Sequence, residues 1–292
     1  MYLVIRALIL IGLAIPSIAT SAQSLDSAKI DQIFGRAGQK TGDVYKIGFL
    51  RTDLHVVVEG IAIKPGLALG SWAAFSGSDD NGMVMGDLVL LQSEVNPVME
   101  KLRAEGFDIS ALHNHLLEEE PHVMYMHYMA RGPAAKLANS LKAALALSKT
   151  PLGKVEASAE PATPPDWVKG VEDSAGRKGT FKGGVLSFGI PRAQPITDGG
   201  MTFTGAQGVA ESINFQDAGD GKVATTGDFV LTADEVNPVI SALEEHHIAV
   251  TALHNHLLTE QPRIFFMHFW AVGNPNSVGA GISAALKLIA VK

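Results

Sequence analysis

The sequence predicts an α+β protein made of two homologous domains, each an antiparallel sheet with flanking helices. Three observations predict it. Gly86-Asp-Leu-Val-Leu90, Glu94-Val-Asn-Pro-Val98 and Ala111-Leu-His-Asn-His-Leu-Leu117 return as Gly227-Asp-Phe-Val-Leu231, Glu235-Val-Asn-Pro-Val239 and Ala252-Leu-His-Asn-His-Leu-Leu258. Within each copy, several β-patterned runs precede a β-α-β-β-α order. A Pro/Ala-rich stretch, with Pro151, Pro161, Pro164 and Pro165, then separates the copies as a proline-stiffened linker. The expected boundaries are 1–22 for a signal peptide, 23–148 for the first repeat, 149–166 for the linker and 167–292 for the second repeat.

The elements follow in order. Ser27–Gly35 reads as a short helix because Ile30, Ile33 and Phe34 share a face. Val44–Leu50, Leu54–Ile63, Ser71–Phe75 and Met83–Leu91 read as strands, punctuated by Gly66, Gly70 and the turn-rich 76–82. A helix follows, with Ser93 as cap, Pro97 in its first turn, and Val95, Val98, Met99 and Leu102 as its apolar stripe. Gly106 ends it. Phe107–Leu117 is a strand, Glu118–His122 a loop and Val123–Ala130 the returning strand. Pro133 then opens a helix striped by Ala134, Leu137, Leu141 and Leu145. In the second copy Thr232 and Glu235 form a capping-box pair, and Ser277–Ile289 is the closing helix. Two such similar domains are expected to pack as a pseudo-symmetric pair.

Composition narrows the function. With 47% hydrophobic and 18% charged residues the chain is a packed globular protein. Its net charge of −7 excludes a nucleic-acid or anionic-membrane surface, which needs clustered Lys and Arg. Arg6, the apolar run Ala7–Ile18 and Thr20-Ser21-Ala22 read as an export signal, too short for a stable membrane span once removed. A periplasmic or secreted location follows. The chain has no cysteine, so disulfides, thiolate metal sites and an N-terminal lipid anchor are excluded. The sequence carries no signal for oligomeric state.

The chemistry concentrates in two histidine clusters. His113, His115, Glu119 and His127 recur as His254, His256, Glu260 and His268, at one constant offset of 141 (113 to 254, 127 to 268). Alternate strand residues share a face, so His113 and His115 point together. A five-residue loop at 118–122 would set His113 opposite His127 and His115 opposite Tyr125. Three imidazoles then converge, and any odd loop length keeps that parity. Glu119 and Glu260 are placed to serve as ligand or general base. Such a set of histidines and one carboxylate suits Zn²⁺ first, and also Fe, Mn, Ni or Cu. Histidines that merely pack could be exchanged freely, yet these are kept in both copies while Glu118, His122 and Tyr125 become Thr259, Arg263 and Phe266. Met124, Met126 and Met129 would suit Cu(I), but only Met267 keeps sulfur in the second copy, so they read as core. Asp87 and Asp228 read as turn or cap residues. Arg51 and Arg192 read as surface pairs, or as holders of an anionic ligand.

These motifs, together with Met126-His127 and Met267-His268, resemble the LppY/LpqO family, exported bacterial proteins built on a domain of unknown function. The resemblance runs from about Gly38 to about Leu288 and implies export and a duplicated domain, with no known activity. That family includes lipoproteins, whereas this chain lacks the cysteine for acylation. His113-x-His115-x3-Glu119 with a later His127 also looks like the metal motif of cupins. Cupins are all-β barrels, and helices flank the hairpin here, so that likeness is one of ligand spacing. The expected function is an exported protein with a transition-metal site in each repeat, serving hydrolase or lyase-type chemistry on a small molecule. A non-catalytic binder of a metal or small ligand, and a structural envelope protein with no site, are the alternatives.

Overall fold

The computed structural model describes residues 24–153 and 163–292. The signal reading and most of the linker lie outside the described residues. The first repeat comprises α1 (Ser27–Phe34), β1 (Gln39–Thr41), β2 (Val44–Leu50), β3 (Val57–Val58), β4 (Ile61–Ala62), α2 (Pro65–Ala68), β5 (Gly70–Gly77), β6 (Gly82–Leu91), α3 (Gln92–Ala104), β7 (Asp108–His113), β8 (Glu119–Glu120), β9 (Val123–Gly132) and α4 (Ala134–Leu145). The second comprises α5 (Asp166–Ala175), β10 (Thr180–Lys182), β11 (Val185–Pro191), β12 (Ile196–Asp198), β13 (Met201–Phe203), β14 (Ala210–Gly219), β15 (Lys222–Thr232), α6 (Ala233–Glu245), β16 (Ala249–His254), β17 (Ile264–Gly273) and α7 (Pro275–Leu286). Each repeat forms one antiparallel six-stranded sheet, ordered β1-β2-β5-β6-β9-β7 and β10-β11-β14-β15-β17-β16.

Strand periodicity sorts the side chains into layers. Val84, Leu88, Leu90, Met126 and Tyr128 pack with residues of α1, α3 and α4 in one core. Phe229, Leu231, Met267 and Phe269 do the same with α5, α6 and α7 in another. The intervening residues point the other way, where the two sheets meet face to face. The order of layers is helices, sheet, sheet, helices.

Each repeat also sends an arm onto the other. The segment containing β3, β4 and α2 places Leu54, Val56, Leu67 and Leu69 against Val185, Ala224 and Trp270. Asn214 donates to the Leu67 carbonyl at 3.0 Å, and Gln216 donates to Ala62 at 2.9 Å while accepting from Lys64 N at 2.8 Å. In return, the segment after β11 buries Ile196, Phe203 and Val209 among Val44, Ala74, Met83 and Met85. These reciprocal clasps fix the two sheets relative to each other, as the expected pseudo-symmetric pair requires.

Several expectations need correction. Leu54–Ile63 is no single strand, because its chain leaves the sheet to form the clasp. Ser93 does not cap α3. The Glu94 carboxylate does so by accepting from Leu91 N at 2.9 Å, as Glu235 accepts from Thr232 N at 2.7 Å. Gly106 follows α3 with φ of 85°, while its counterpart His247 takes φ of 58° without a glycine's freedom.

Arg51 and Arg192 are neither surface pairs nor ligand holders. Arg51 is fully buried and donates to Glu94 at 2.8 and 3.2 Å, to Asp53, and to the Val89 carbonyl at 2.6 Å. Arg192 donates to Glu235 at 2.8 and 3.1 Å and to the Val230 carbonyl. Each glutamate also accepts from the chain just past the repeat's last helix, Lys149 N at 2.9 Å and Ala290 N at 3.0 Å. One buried ion pair thus ties strand, helix start and repeat end together. Arg51→Met should destabilise the protein by about 3–5 kcal/mol in urea denaturation, since it leaves a buried carboxylate without its cation. A loss below about 1 kcal/mol would contradict this role.

Candidate metal centre

Strand β9 lies between β6 and β7, and this order builds the site. His127 sits opposite Asp87 on β6 and opposite Ala111 on β7, while His113 faces Tyr125. The expected pairing of His113 with His127 is therefore wrong by two residues. The register shifts at a bulge between Ile109 and Ala111, and β7 ends at His113. The connection 114–122 does not turn tightly, because β8 is drawn off to pair with β3. Its length is odd, so parity survives and all three imidazoles still point toward the other sheet. In the second repeat Ala252 faces His268 and His254 faces Phe266, with Asp228 opposite His268 on β15.

Since both histidine faces are inner faces, the two clusters merge into one. His113 stacks on His254 with ring centroids 3.4 Å apart, His115 on His268 at 3.6 Å, and His127 lies 3.8 Å from His256. Rings within a repeat are farther apart, at 4.9 Å for His113–His127 and 4.8 Å for His254–His268. The arrangement is a pseudo-twofold with His113 and His254 astride its axis. The backbone enforces it: Asn114 donates to Thr251 O at 3.1 Å and Asn255 to Ser110 O at 2.7 Å. Ser110 and Thr251 in turn donate to the carbonyls of His256 and His115. Tyr125 stacks on His115 and Phe266 on His256. The expectation of a separate site in each repeat is corrected: face-to-face packing of the sheets makes one shared cluster.

Hydrogen bonding places the Nδ1 proton of three rings in this cluster, the first being His113, whose Nδ1 faces the Asn114 carbonyl at 3.0 Å. His254 Nδ1 faces the Asn255 carbonyl at 2.7 Å, so it carries the proton and Nε2 is a lone pair. His268 Nδ1 faces the Gly227 carbonyl at 3.0 Å and Asp228 Oδ1 at 3.0 Å, both acceptors, so Nδ1 carries a proton. The Nε2 atoms of His254 and His268 lie 2.8 Å apart. Burial and the neighbouring His268 push His254 down to about 3, so His254 Nε2 is a lone pair. Burial first, and neighbouring imidazoles second, likewise hold His113, His115 and His127 well below the ordinary histidine range. Burial takes His256 to about 3. These five rings stay neutral and offer lone pairs.

The nitrogens of His113, His254 and His268 gather within 4.8 Å of one another, as do ligand atoms of His115, Asp228 and His268. A metal bound at about 2.0–2.1 Å by two imidazoles in tetrahedral geometry sets their nitrogens about 3.3 Å apart, so small outward shifts fit an ion. Three histidines leave a fourth position open, the catalytic arrangement, and Asp228 behind His268 is the carboxylate–histidine pairing that orients metal-bound rings.

Glu119 and Glu260, expected as ligand or base, stand apart from both groupings. Glu119 accepts from Val123 N at 3.2 Å and Glu260 from Ile264 N at 3.2 Å, each bracing the turn into the returning strand. His122 lies 3.8 Å from Glu119, and Arg263 lies 3.4 Å from Glu260. The exchange of His122 for Arg263 between copies thus keeps a basic partner. Burial raises Glu119 to about 7.

The carboxylates in the cluster are instead Asp87 and Asp228, which lie mid-strand and not at turns. Burial and the nearby Asp228 raise Asp87 well above the carboxylate range, whereas His268, close by at 3.0 Å, brings Asp228 below it against the cost of burial. The legible signal was parity: Asp87 alternates with Met83, Met85 and Val89 on the face opposite the helices. The preceding glycines have a steric cause, since a Cβ on Gly86 would overlap the Trp72 carbonyl and one on Gly227 that of Ser212.

The pattern of one protein family matches residues 28–147 and again 169–288. The chain belongs to the family described as Domain of Unknown Function (DUF1259). Its two DUF1259 copies coincide with the two sheets and their helices, so the shared cluster is built from one histidine trio per copy. No curated protein matches the chain. Among solved structures, a trimeric bacterial microcompartment shell protein, PduB, aligns over 87% of this chain and 90% of that one, at 8% identity and a TM-score of 0.21. Among the described residues, no helix is long and apolar enough to cross a membrane.

Glu119→Ala and Glu260→Ala should each lower stability by about 1–3 kcal/mol in chemical denaturation, since each leaves the buried N–H of Val123 or Ile264 without its acceptor, while leaving metal uptake by the full chain unchanged. Loss of metal uptake with unchanged stability would return these residues to the site.

Proposed function

We propose that the protein binds one transition-metal centre, Zn²⁺ foremost, shared by its two repeats, and uses it on a small molecule. The observation that carries this reading is geometric: ligand nitrogens of His113, His254 and His268 lie within 4.8 Å of one another, with the Nε2 atoms of His254 and His268 2.8 Å apart. His113, His254 and His268 would hold the ion, with Asp228 orienting His268 and Asp87 standing in the corresponding place behind His127. The ion would supply Lewis acidity and a water of lowered pKa, the requirements of hydrolase or lyase-type chemistry. A cleft between the sheets reaches the cluster, which favours turnover over mere storage. The run from Arg6 to Ala22 and the likeness to LppY/LpqO proteins support export to the periplasm as the setting.

Metal analysis of untagged protein tests the sharing. His113→Ala alone should remove most of the bound metal from the whole chain, as should His254→Ala alone. Retention of half the metal in each variant would mean independent sites, and absence of stoichiometric metal from wild type under Zn²⁺ loading would refute the reading.

Acidity gives a second test. His113 and His254, held below the ordinary histidine range, bind protons weakly, so protons compete poorly with the ion for them. Bound metal should stay on the protein at pH 5.5, below the ordinary histidine value of about 6.5. Release with a midpoint near 6.5 in equilibrium dialysis would show solvated, unperturbed ligands.

A further inference from the structure

The cleft beside the cluster has two lobes, of about 440 and 180 Å³, which share Lys46, Trp72, Asp87, Ser212 and Asp228 in their walls. The larger reaches His115 and Tyr125, the smaller His127 and His256. Lys46 Nζ rests 4.0 Å from the centre of the Trp72 ring. Among the described residues no carboxylate pairs with it, although Asp87 and Asp228 share its cavity. A half-buried lysine held by an aromatic face, its ammonium left for a ligand, is a built anion site.

Nothing in the second repeat matches it. The strand pairings put Ser187 where the first repeat has Lys46, and Ser212 where it has Trp72. A pseudo-symmetric set of imidazoles therefore serves a cleft with its cation at one end only. The remaining walls offer hydroxyl groups from Ser187, Ser212 and Thr226. Thr226 is 1% exposed and its Oγ1 has no partner, and neither do His115 Nε2 or Glu211 Oε1, which line the two lobes. Burial raises the Glu211 carboxyl to about 8, so it is a hydrogen-bond donor at neutral pH. Unpartnered donors and acceptors of this kind cost stability unless a ligand meets them.

We infer that the cleft takes a small hydroxylated organic acid, with Lys46 gripping a carboxylate remote from the metal and the hydroxyl-lined wall reading the rest. The inference rests on the metal reading above, because the Asp228 carboxylate beside the cleft repels an anion unless an ion offsets it. Lys46 is here a specificity residue, and its removal acts on one end of the ligand alone.

Calorimetric titration of the Zn²⁺-loaded full chain with malate, and with glycolate, which lacks a second carboxylate, tests this. Wild type should bind malate more tightly than glycolate. Lys46→Met should weaken malate at least tenfold, leave glycolate and zinc content unchanged, and melt as wild type does; Lys46→Arg should regain part of the malate affinity. Equal malate affinity in wild type and Lys46→Met, or no preference for malate over glycolate in wild type, overturns the inference while leaving the metal reading intact. Should zinc fail to load, the metal reading falls alone, and malate binding to the metal-free chain decides Lys46. A complex lost in Lys46→Met upholds the anchor; absence of any complex overturns it.

Discussion

Two sheets packed face to face, with imidazoles where a core would ordinarily be aliphatic, set the terms for the whole molecule. Packing six imidazoles between the sheets leaves His115 Nε2, His127 Nδ1 and both nitrogens of His256 without hydrogen-bond partners. Each such orphan costs about 1–3 kcal/mol, which a purely structural protein would have no reason to bear twice over. The helices outside the sheets, the reciprocal clasps and the Arg51–Glu94 and Arg192–Glu235 pairs supply the rigidity that holds the rings in this arrangement. The polar interface is tolerated because the apolar cores lie on the far sides of the sheets, one per repeat.

Duplication explains how such a centre can arise. A single domain of this kind presents three imidazoles on an open sheet face, and pairing it with a copy encloses them. The contacts at the axis are isologous: Asn114 reaches Thr251 as Asn255 reaches Ser110. Divergence then acted away from the axis. Lys46 and Trp72 have Ser187 and Ser212 as their counterparts, and Glu119 is paired with His122 where Glu260 is paired with Arg263. The rings remained equivalent while the cleft beside them did not.

Much of this was readable in the chain. The repeat, the helices, the shared face of each histidine trio and the pseudo-symmetric packing follow from motif spacing and periodicity, which are local properties. The union of the two trios was not, because sequence parity says which face a residue takes but not what that face meets. The surroundings of Glu119 were hidden for the same reason: its nearness in sequence to His115 says nothing of β8 leaving to pair with β3. Asp87 escaped notice because Gly-Asp is a common turn signal, and only the strand register puts it opposite His127. Arg51 and Arg192 looked exposed because a buried ion pair needs a partner distant in sequence, forty-odd residues on.

The most direct test of the account is a crystal structure of the Zn²⁺-loaded full chain with anomalous diffraction at the zinc edge. The account places the anomalous peak at the pseudo-twofold interface, bonded to imidazoles from both repeats, with His113, His254 and His268 among them. Two peaks, each surrounded by ligands of one repeat only and including Glu119 or Glu260, would contradict it.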